Sequence, residues 1–308
     1  MQRAATPRRL LAGCILVMLA AAPAAAQIED QLSAYTGDNA TGYLQPLADA
    51  LGASLNDGAF ASAHIPRSAF RLGLEVRLMG VYFGDDDRSF SATTEGGFSP
   101  VTEVDAPTIA GDGDAVVVDG DGGTQFAFPG GFDLNSFALV VPQLRVGGIM
   151  GSEALLRWAS FEAGDSELGK IDLLGFGLRH SISQYMPAPK FDLAAGFLWQ
   201  RFNIGENTNG DDLISTSAFS IGAQASKRFG GAITAEPFVG LSVDTFSMEV
   251  QYEPDEGELI DLEFEKSTNM HLTLGLGLNL KVLNLSAAYS IAGNNSFNLG
   301  MSLGNLGF

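Results

Sequence analysis

The chain has 308 residues, of which 36 are acidic and 17 basic, so its formal net charge at neutral pH is −19. Because nucleic acid attracts basic surfaces, this balance argues against nucleic acid as a partner. Cys14 is the only cysteine, which excludes a disulfide framework. The length allows one large all-β domain, or two smaller ones, with a sizeable buried core.

Residues 1–26 have the features of a signal peptide. Basic residues between positions 3 and 9 precede an apolar run over residues 10–22, and the alanines at 24–26 form a small-residue cleavage site. We therefore predict that the chain is exported and cleaved before Gln27.

Residues 27–67 contain one convincing helix pattern. Leucines recur at helical spacing over residues 43–58, and Gly58 ends the pattern. We predict an N-terminal periplasmic segment with one short helix. The helix either packs against the following sheet or forms a plug or lid at the periplasmic mouth of a barrel.

From Ser68 onward the pattern of apolar residues changes to period two, which is typical of β-strands. No stretch after the signal peptide has about 18 consecutive apolar residues, so a membrane location requires a closed β-barrel. Ten strands are predicted, near residues 70–83, 137–149, 152–162, 170–184, 191–204, 213–228, 232–252, 259–281, 283–292 and 296–308. The predicted fold class is all-β, a transmembrane antiparallel β-barrel over residues 68–308.

The connections between these strands alternate in length and charge. After the first, third, fifth, seventh and ninth strands they are long, and four of these five are acidic, including a long insertion at 84–135. The other connections are short and contain no acidic residue. This asymmetry is typical of outer-membrane barrels, whose long loops are extracellular. If the insertion adds a hairpin around residues 115–120, the barrel would have twelve strands.

The two faces of the predicted strands differ in composition. One face is rich in leucine and other large apolar residues, whereas the other carries glycine, serine, threonine and occasional charges. We therefore predict that the apolar face contacts outer-membrane lipid, with an aromatic girdle formed by Tyr82, Trp158, Tyr185, Trp199, Tyr252 and Tyr289. The last residue, Phe308, is predicted to be the signal that the barrel assembly machinery binds.

Charged residues that alternate in phase with the inner face are the candidate lumen residues. They are Arg71, Glu75, Arg77, Glu153, Arg157 and Arg179. In a ten-strand barrel such side chains can pair across the lumen and fill it, so a closed barrel competes with an open channel.

Acidic residues in phase with the lumen suggest a preference for cations. If strand parity holds, Asp261, Glu263 and Glu265 ring part of the outer mouth, and Glu236 and Asp244 face the lumen from the seventh strand. The alternative is a hairpin that projects above the membrane with solvated carboxylates.

The long insertion also offers oxygen ligands for calcium. The candidate ligands form two pairs in glycine-rich sequence, each two residues apart, which are Asp112 with Asp114 and Asp119 with Asp121. A hydrated acidic loop explains the same pattern. The three histidines, His64, His180 and His271, lack metal-ligand spacing, and no cofactor is predicted.

Two parts of the chain resemble a known family. "YLQPLADALGASLNDGAFASAH", together with "VPQLRVGGIMGSEALLRW" and "LLGFGLRHSISQYMP", resembles an uncharacterised family of bacterial outer-membrane, porin-like β-barrel proteins. The resemblance covers most of residues 43–308. It implies the barrel fold but assigns no catalytic or binding residue.

The sequence predicts a non-enzymatic outer-membrane protein. The first interpretation is a porin-like passive channel or uptake protein for small solutes, with a preference for cations. The alternatives are a closed structural or adhesive barrel without transport, and an outer-membrane enzyme whose site is assembled from several loops.

Overall fold

A computed structural model of the chain describes residues 31–32, 35–162, 170–205, 212–231, 233–252 and 260–304. The predicted signal peptide, the acidic connections at 163–169, 206–211 and 253–259, and Phe308 lie outside the described residues. The side chain of Glu265 is also outside the described part of the chain, although its backbone is described.

A long helix precedes the strands. Helix α1 spans Gly37–Asn56. In chain order the strands are β1 (Arg71–Tyr82), β2 (Ser89–Thr93), β3 (Glu103–Pro107), β4 (Val116–Asp119), β5 (Gln125–Phe128), β6 (Ser136–Ile149), β7 (Ser152–Glu162), β8 (Lys170–Ser181), β9 (Asp192–Ile204), β10 (Ile214–Ser226), β11 (Phe229–Gly230), β12 (Thr234–Tyr252), β13 (Ile260–Leu280), β14 (Leu283–Ile291) and β15 (Ser296–Gly304).

Ten of these strands close into an antiparallel barrel, which confirms the predicted fold. They are β1, β6 to β10 and β12 to β15, and each pairs with the next one along the chain. The ring closes where β1 pairs with β15, from Gly73 opposite Gly304 to Val81 opposite Ser296. Within the insertion, β2 pairs with β3 and β4 with β5 in separate two-stranded sheets, so this insertion adds no strand to the barrel.

Every barrel strand is antiparallel to its neighbours, so successive connections lie at opposite ends of the barrel. We call the end with the long connections the loop end and the other the turn end. The insertion at residues 84–135, which we call the cap, lies at the loop end. Strands β12 and β13 have 19 and 21 residues, whereas β14 has nine, so the β12–β13 hairpin extends beyond the other strands at the loop end.

The outer surface of the barrel is apolar. Leu74 is 59% exposed, Trp158 65% and Leu274 49%, and the alternate residues of the same strands are mostly buried inside. Such a band of large exposed side chains around a closed sheet matches the lipid-facing surface of an outer-membrane barrel. Tyr252, predicted for the aromatic girdle, is instead fully buried and points inward. No helix among the described residues is long and apolar enough to cross a membrane.

The interior of the barrel is occupied by the N-terminal segment. We call residues 35–67 the plug. Helix α1 contacts β1, β6, β10, β12, β13 and β15, and its Leu44, Leu51 and Leu55 are completely buried. The sequence analysis places residues 27–67 ahead of the barrel as a periplasmic segment, whereas the described part of this segment runs through the lumen.

A β-bulge in β13 reverses the phase of the strand. Phe246 of β12 pairs with Ser267, but Met248, two residues further on, pairs with Phe264, three residues back. The extra residue in β13 shifts every side chain beyond it to the opposite face. Leu262 and Phe264 are therefore buried inside the barrel, and Asp261 and Glu263 are exposed on the outside.

Candidate functional site in the barrel lumen

The plug has an apolar half at the loop end. Leu44, Ala48, Leu51 and Leu55 lie on one face of α1 at helical spacing and are buried among inward side chains of the wall. Those wall residues are apolar at this level, and they include Met79, Val141, Phe202, Phe246 and Met248. Burial of apolar surface holds this half of the plug in place.

The other half of the plug is extended and is held by polar side chains of the wall. Arg157 donates from Nη2 to the carbonyl oxygen of Asp57 at 3.0 Å and from Nη1 to that of Leu55 at 3.3 Å. Gln224 donates to the carbonyl oxygen of Phe60 at 3.0 Å. Since this part of the plug has no secondary structure, wall side chains satisfy peptide groups that would otherwise be buried without partners.

Further wall side chains continue this pattern along the plug. Arg145 donates to the carbonyl oxygen of Ala59 at 3.2 Å, and Arg179 donates to that of Ser62. The guanidinium of Arg179 also lies over the ring of Phe60, 4.6 Å from its centroid. Both arginines thus contact the plug through hydrogen bonds and through an aromatic face.

Buried charges of the wall form one connected set, which we call the charge network. Arg157 joins it through Gln143, which accepts from Arg157 at 3.1 Å and donates to Glu75. Glu75 lies 3.0 Å from Arg145 and 3.2 Å from Arg77, and Glu153 lies 2.7 Å from Arg179 and 3.5 Å from Arg145. The network consists of Glu75, Arg77, Arg145, Glu153, Arg157 and Arg179, all buried.

The charge network has more positive than negative groups, and the plug supplies a counter-charge. Asp57 is 5% exposed, and its carboxylate accepts hydrogen bonds from Ser296 and Asn298 at 2.8 Å each and from Ser290 at 3.2 Å. Arginine side chains of the network point to carbonyl oxygens of the plug, and the buried Asp57 carboxylate adds one negative charge near them. The plug is electrostatically complementary to the wall.

Sequence reasoning identified some members of this site and missed others. Glu75, Arg77, Glu153, Arg157 and Arg179 lie in the network, and Arg71 lies half-buried at the turn end. Arg145, Gln143, Gln200 and Asp57 were not singled out. Strand parity alone would have placed Arg145 inside, because it lies two residues from Gln143 and four from Val141 and so shares their face of β6.

Of the three carboxylates predicted for the outer mouth, the two with described side chains do not face the lumen. Because of the bulge in β13, Asp261 and Glu263 lie on the outer surface, which corrects their predicted inward orientation. Glu236 is fully buried toward the turn end, where Ser62 and Ser226 donate to it. Asp244 is also buried, and it contacts the imidazole of His271.

The cap closes over the plug at the loop end. Rings of the plug and the cap pack together, with the Tyr35 centroid 5.3 Å from Tyr43 and 6.2 Å from both Phe90 and Phe128. The hydroxyl of Tyr252 donates to the carbonyl oxygen of Tyr35 at 2.8 Å. Burial raises the pKa of the Tyr35 and Tyr43 phenols, so both stay protonated and can donate hydrogen bonds.

The aspartates predicted to bind calcium are separated in the cap. Asp119 accepts a hydrogen bond from Gln125 at 2.8 Å, and Asp121 accepts one from Ser99 at 3.0 Å. Among the residues that the structure describes, no group of three or more Asp, Glu, His or Cys side chains is arranged to hold a metal ion.

Two of the three histidines, His64 and His180, lie near the turn end, whereas His271 contacts Asp244. His64 is 3.2 Å from Asp192, the first residue of β9, and His180 accepts or donates a 2.8 Å hydrogen bond with Ser152 near the turn end. The other ring nitrogen of His180 lies 2.9 Å from the Tyr185 hydroxyl, not beside a carboxylate. These pairs differ from the Ser-His-carboxylate arrangement of a hydrolase.

Three small cavities remain beside the plug. One of about 60 Å³ lies between residues 56–60 and the wall, the next of about 20 Å³ lies beside Asp244, and a third of about 240 Å³ reaches the loop end. Asn56 lines the first two, and Asp49 and Asn294 line the last two. The cavity beside Asp244 has room for roughly one water molecule.

A closed antiparallel barrel with an apolar outer band and a polar interior defines the class of this molecule. It is a β-barrel protein of the bacterial outer membrane, and it contacts the lipid of that membrane. The chain belongs to DUF6588, a family of unknown function, whose model matches residues 7–305.

Several solved outer-membrane proteins have similar structures at low sequence identity. The β domain of the Bordetella autotransporter BrkA is 14% identical over 76% of this chain and 99% of its own, with a TM-score of 0.31. The Escherichia coli outer membrane protease OmpT is 8% identical over 76% of this chain and 93% of its own, also with a TM-score of 0.31. The Pseudomonas putida toluene transporter TodX is 11% identical over 88% of this chain and 94% of its own, with a TM-score of 0.26. No curated protein matches the sequence.

Proposed function

We propose that this protein is a closed barrel that holds its cap at the cell surface, and that the plug keeps the lumen shut. The observation that carries this proposal is the continuous attachment of the plug to the wall. Side chains of the wall bind the peptide oxygens of Leu55, Asp57, Ala59, Phe60 and Ser62. This is the structural or adhesive alternative of the sequence analysis, and it replaces an open porin as the first interpretation.

The cap has the properties of a surface that other molecules can contact. It presents exposed carboxylates, which are those of Asp85, Asp86, Asp112, Asp114, Asp119 and Asp121. Long connections of outer-membrane barrels are extracellular, so this acidic surface would face the medium. An acidic surface favours cationic partners.

A second candidate function is slow passage of small cations beside the plug. It is favoured by the row of three cavities, because the carboxylates of Asp49 and Asp244 line them. The small cavity beside Asp244 would exclude sugars and other solutes of that size. This candidate retains the cation preference of the sequence analysis but assigns it to Asp244 rather than to an acidic mouth.

Conductance in planar lipid bilayers separates the two functions. The closed barrel predicts that the purified wild-type protein inserts without steps of the size that open porins give, and that vesicles containing it do not swell in arabinose. Sustained steps and swelling in the wild-type protein would overturn the proposal.

Small residual currents would be examined with a matched pair of variants. If the cavities conduct, Asp244→Asn lowers the preference for potassium over chloride. Glu249→Gln is the control, because Glu249 is exposed on the same strand. An equal ion preference in both variants would count against the cation route.

A further inference from the structure

The direction of the plug through the lumen is fixed by contacts at its two ends. Tyr35 lies at the loop end, where the last residue of β12, Tyr252, donates to its carbonyl oxygen at 2.8 Å. Arg67 lies at the turn end, where its carbonyl oxygen accepts from the backbone of Gly151 at 3.3 Å. The chain therefore enters the barrel at the loop end and leaves it at the turn end, immediately before β1.

Gln31 and Leu32, which precede Tyr35, also lie at the loop end. Leu32 is completely buried in the same cluster as Tyr35 and Tyr43, and the backbone of Tyr35 donates to its carbonyl oxygen at 2.9 Å. The hydroxyl of Tyr43 donates to the side chain of Gln31. The position of Gln31 is thus fixed beside the cap.

The remaining length of the exported chain is too short to cross the membrane again. If cleavage occurs before Gln27, only residues 27–30 precede Gln31. Four extended residues reach at most about 14 Å. The apolar band of an outer-membrane barrel is about 25 Å tall, so this stretch cannot return to the turn end.

We propose that the mature N-terminus of this protein lies outside the cell, and that the barrel carries it there through its own lumen. The plug is then an additional crossing of the membrane, opposite in direction to β1. Gln31 and Leu32 lie beside the cap, and residues 27–30 would emerge next to it. Any segment joined ahead of Tyr35 is displayed beside the cap, so the barrel is a display device for its N-terminus as well as for its loops. This inference rests on the orientation assumed in the proposed function, with the loop end outside.

The cysteine-free mature chain allows a direct test with single cysteines and a membrane-impermeant maleimide. Glu29→Cys reports the N-terminus, Val101→Cys reports the cap and Lys190→Cys reports the turn end. Val101 and Lys190 are exposed, so both cysteines are accessible on their own side. We expect Glu29→Cys and Val101→Cys to react on intact cells, and Lys190→Cys to react only after permeabilisation.

The outcomes distinguish failure of this inference from failure of the assumed orientation. If Glu29→Cys reacts only after permeabilisation while Val101→Cys reacts on intact cells, the inference is overturned and the orientation stands. If Val101→Cys is protected and Lys190→Cys reacts, the orientation is reversed, and the proposed display at the cell surface is lost with it.

Two further measurements cover the case in which Glu29→Cys is unreactive in both states. An epitope inserted between Gln27 and Ile28 should bind antibody on intact cells, and failure to do so would count against the inference. Mass spectrometry of the purified chain should show a mature start at Gln27. Retention of residues 1–26 would remove the length argument and overturn the proposal.

Discussion

Arg157 makes four hydrogen bonds although its guanidinium is completely buried. Two go to the peptide oxygens of Leu55 and Asp57 in the plug, and two go to the amide oxygens of Gln143 and Gln200 in the wall. Removal of a buried hydrogen-bonded charge leaves its partners without donors. The cost is therefore concentrated at the contact between the plug and the wall.

We expect Arg157→Gln to lower the free energy of unfolding by about 3 kcal/mol. The measurement is urea unfolding of the protein in lipid vesicles, followed by tryptophan fluorescence. Arg201→Gln is the matched control, because Arg201 is an exposed arginine in β9, and its loss should be below about 1 kcal/mol. Similar losses in both variants would show that Arg157 does not hold the plug.

Individual site residues differ in how far the sequence reveals them. Period two suffices to place Glu75 and Arg77 on the inner face of β1, because that face alternates without a bulge. Asp57 gives no such signal, since its partners Ser290, Ser296 and Asn298 are more than 230 residues away along the chain. Only the closure of the barrel brings these groups together.

Single strands were predictable because the environment of each face is uniform over many residues. β7 begins at Ser152 and β14 at Leu283, and the alternation of apolar residues predicts strands that begin at these same positions. In β13 the rule fails at the bulge, where one extra residue moves Asp261 and Glu263 from the inner to the outer face. A bulge changes the phase without changing the composition, so the sequence pattern does not show it.

The leucine face of β13 provides a test of contact with lipid. An arginine on the lipid-facing surface at mid-membrane costs about 2–4 kcal/mol, so Leu274→Arg should destabilise the barrel in vesicles by that amount. Glu263→Arg, on the outer face of the same strand beyond the bulge, should cost little. Equal urea midpoints for the two variants would mean that Leu274 does not contact hydrocarbon.

Helix α1 shows what a helical pattern leaves open. The leucine spacing predicts a helix near residues 43–58, and the observed helix begins earlier, at Gly37. The apolar stripe requires an apolar partner, but it does not identify that partner as the inside of the barrel. The wall near the loop end supplies this apolar partner through inward residues such as Met79 and Phe246, which alternate with lipid-facing residues.

The complete barrel should be resistant to detergent. We expect the unboiled protein to migrate differently from the boiled protein on a denaturing gel, because ten paired strands without a free edge unfold only on heating. A chain truncated before Ser296 lacks β15 and should show no such shift. Equal migration of the full-length chain before and after boiling would contradict the closed barrel.

At the scale of the whole molecule, the sequence predicts the barrel better than its contents. Strand number, strand order and the two classes of connection follow from local pattern. The state of the lumen depends on where residues 35–67 pack, and this is decided by contacts between distant parts of the chain. An amphipathic helix ahead of a barrel is compatible with a lid, an external packing element or a plug. The sequence does not distinguish these three positions of the helix.

β1 follows the plug directly, and its free edge is covered by the last strand, β15, through nine residue pairs. The plug therefore cannot be enclosed before β15 has been synthesised, and it cannot leave sideways unless β1 and β15 separate. Enclosure of the plug therefore requires pairing of β1 with β15, and we expect its lateral release to be limited by the rate at which these two strands separate. The time for which the plug stays inside the barrel is then set by the rate of strand separation and not by an equilibrium between bound and released plug.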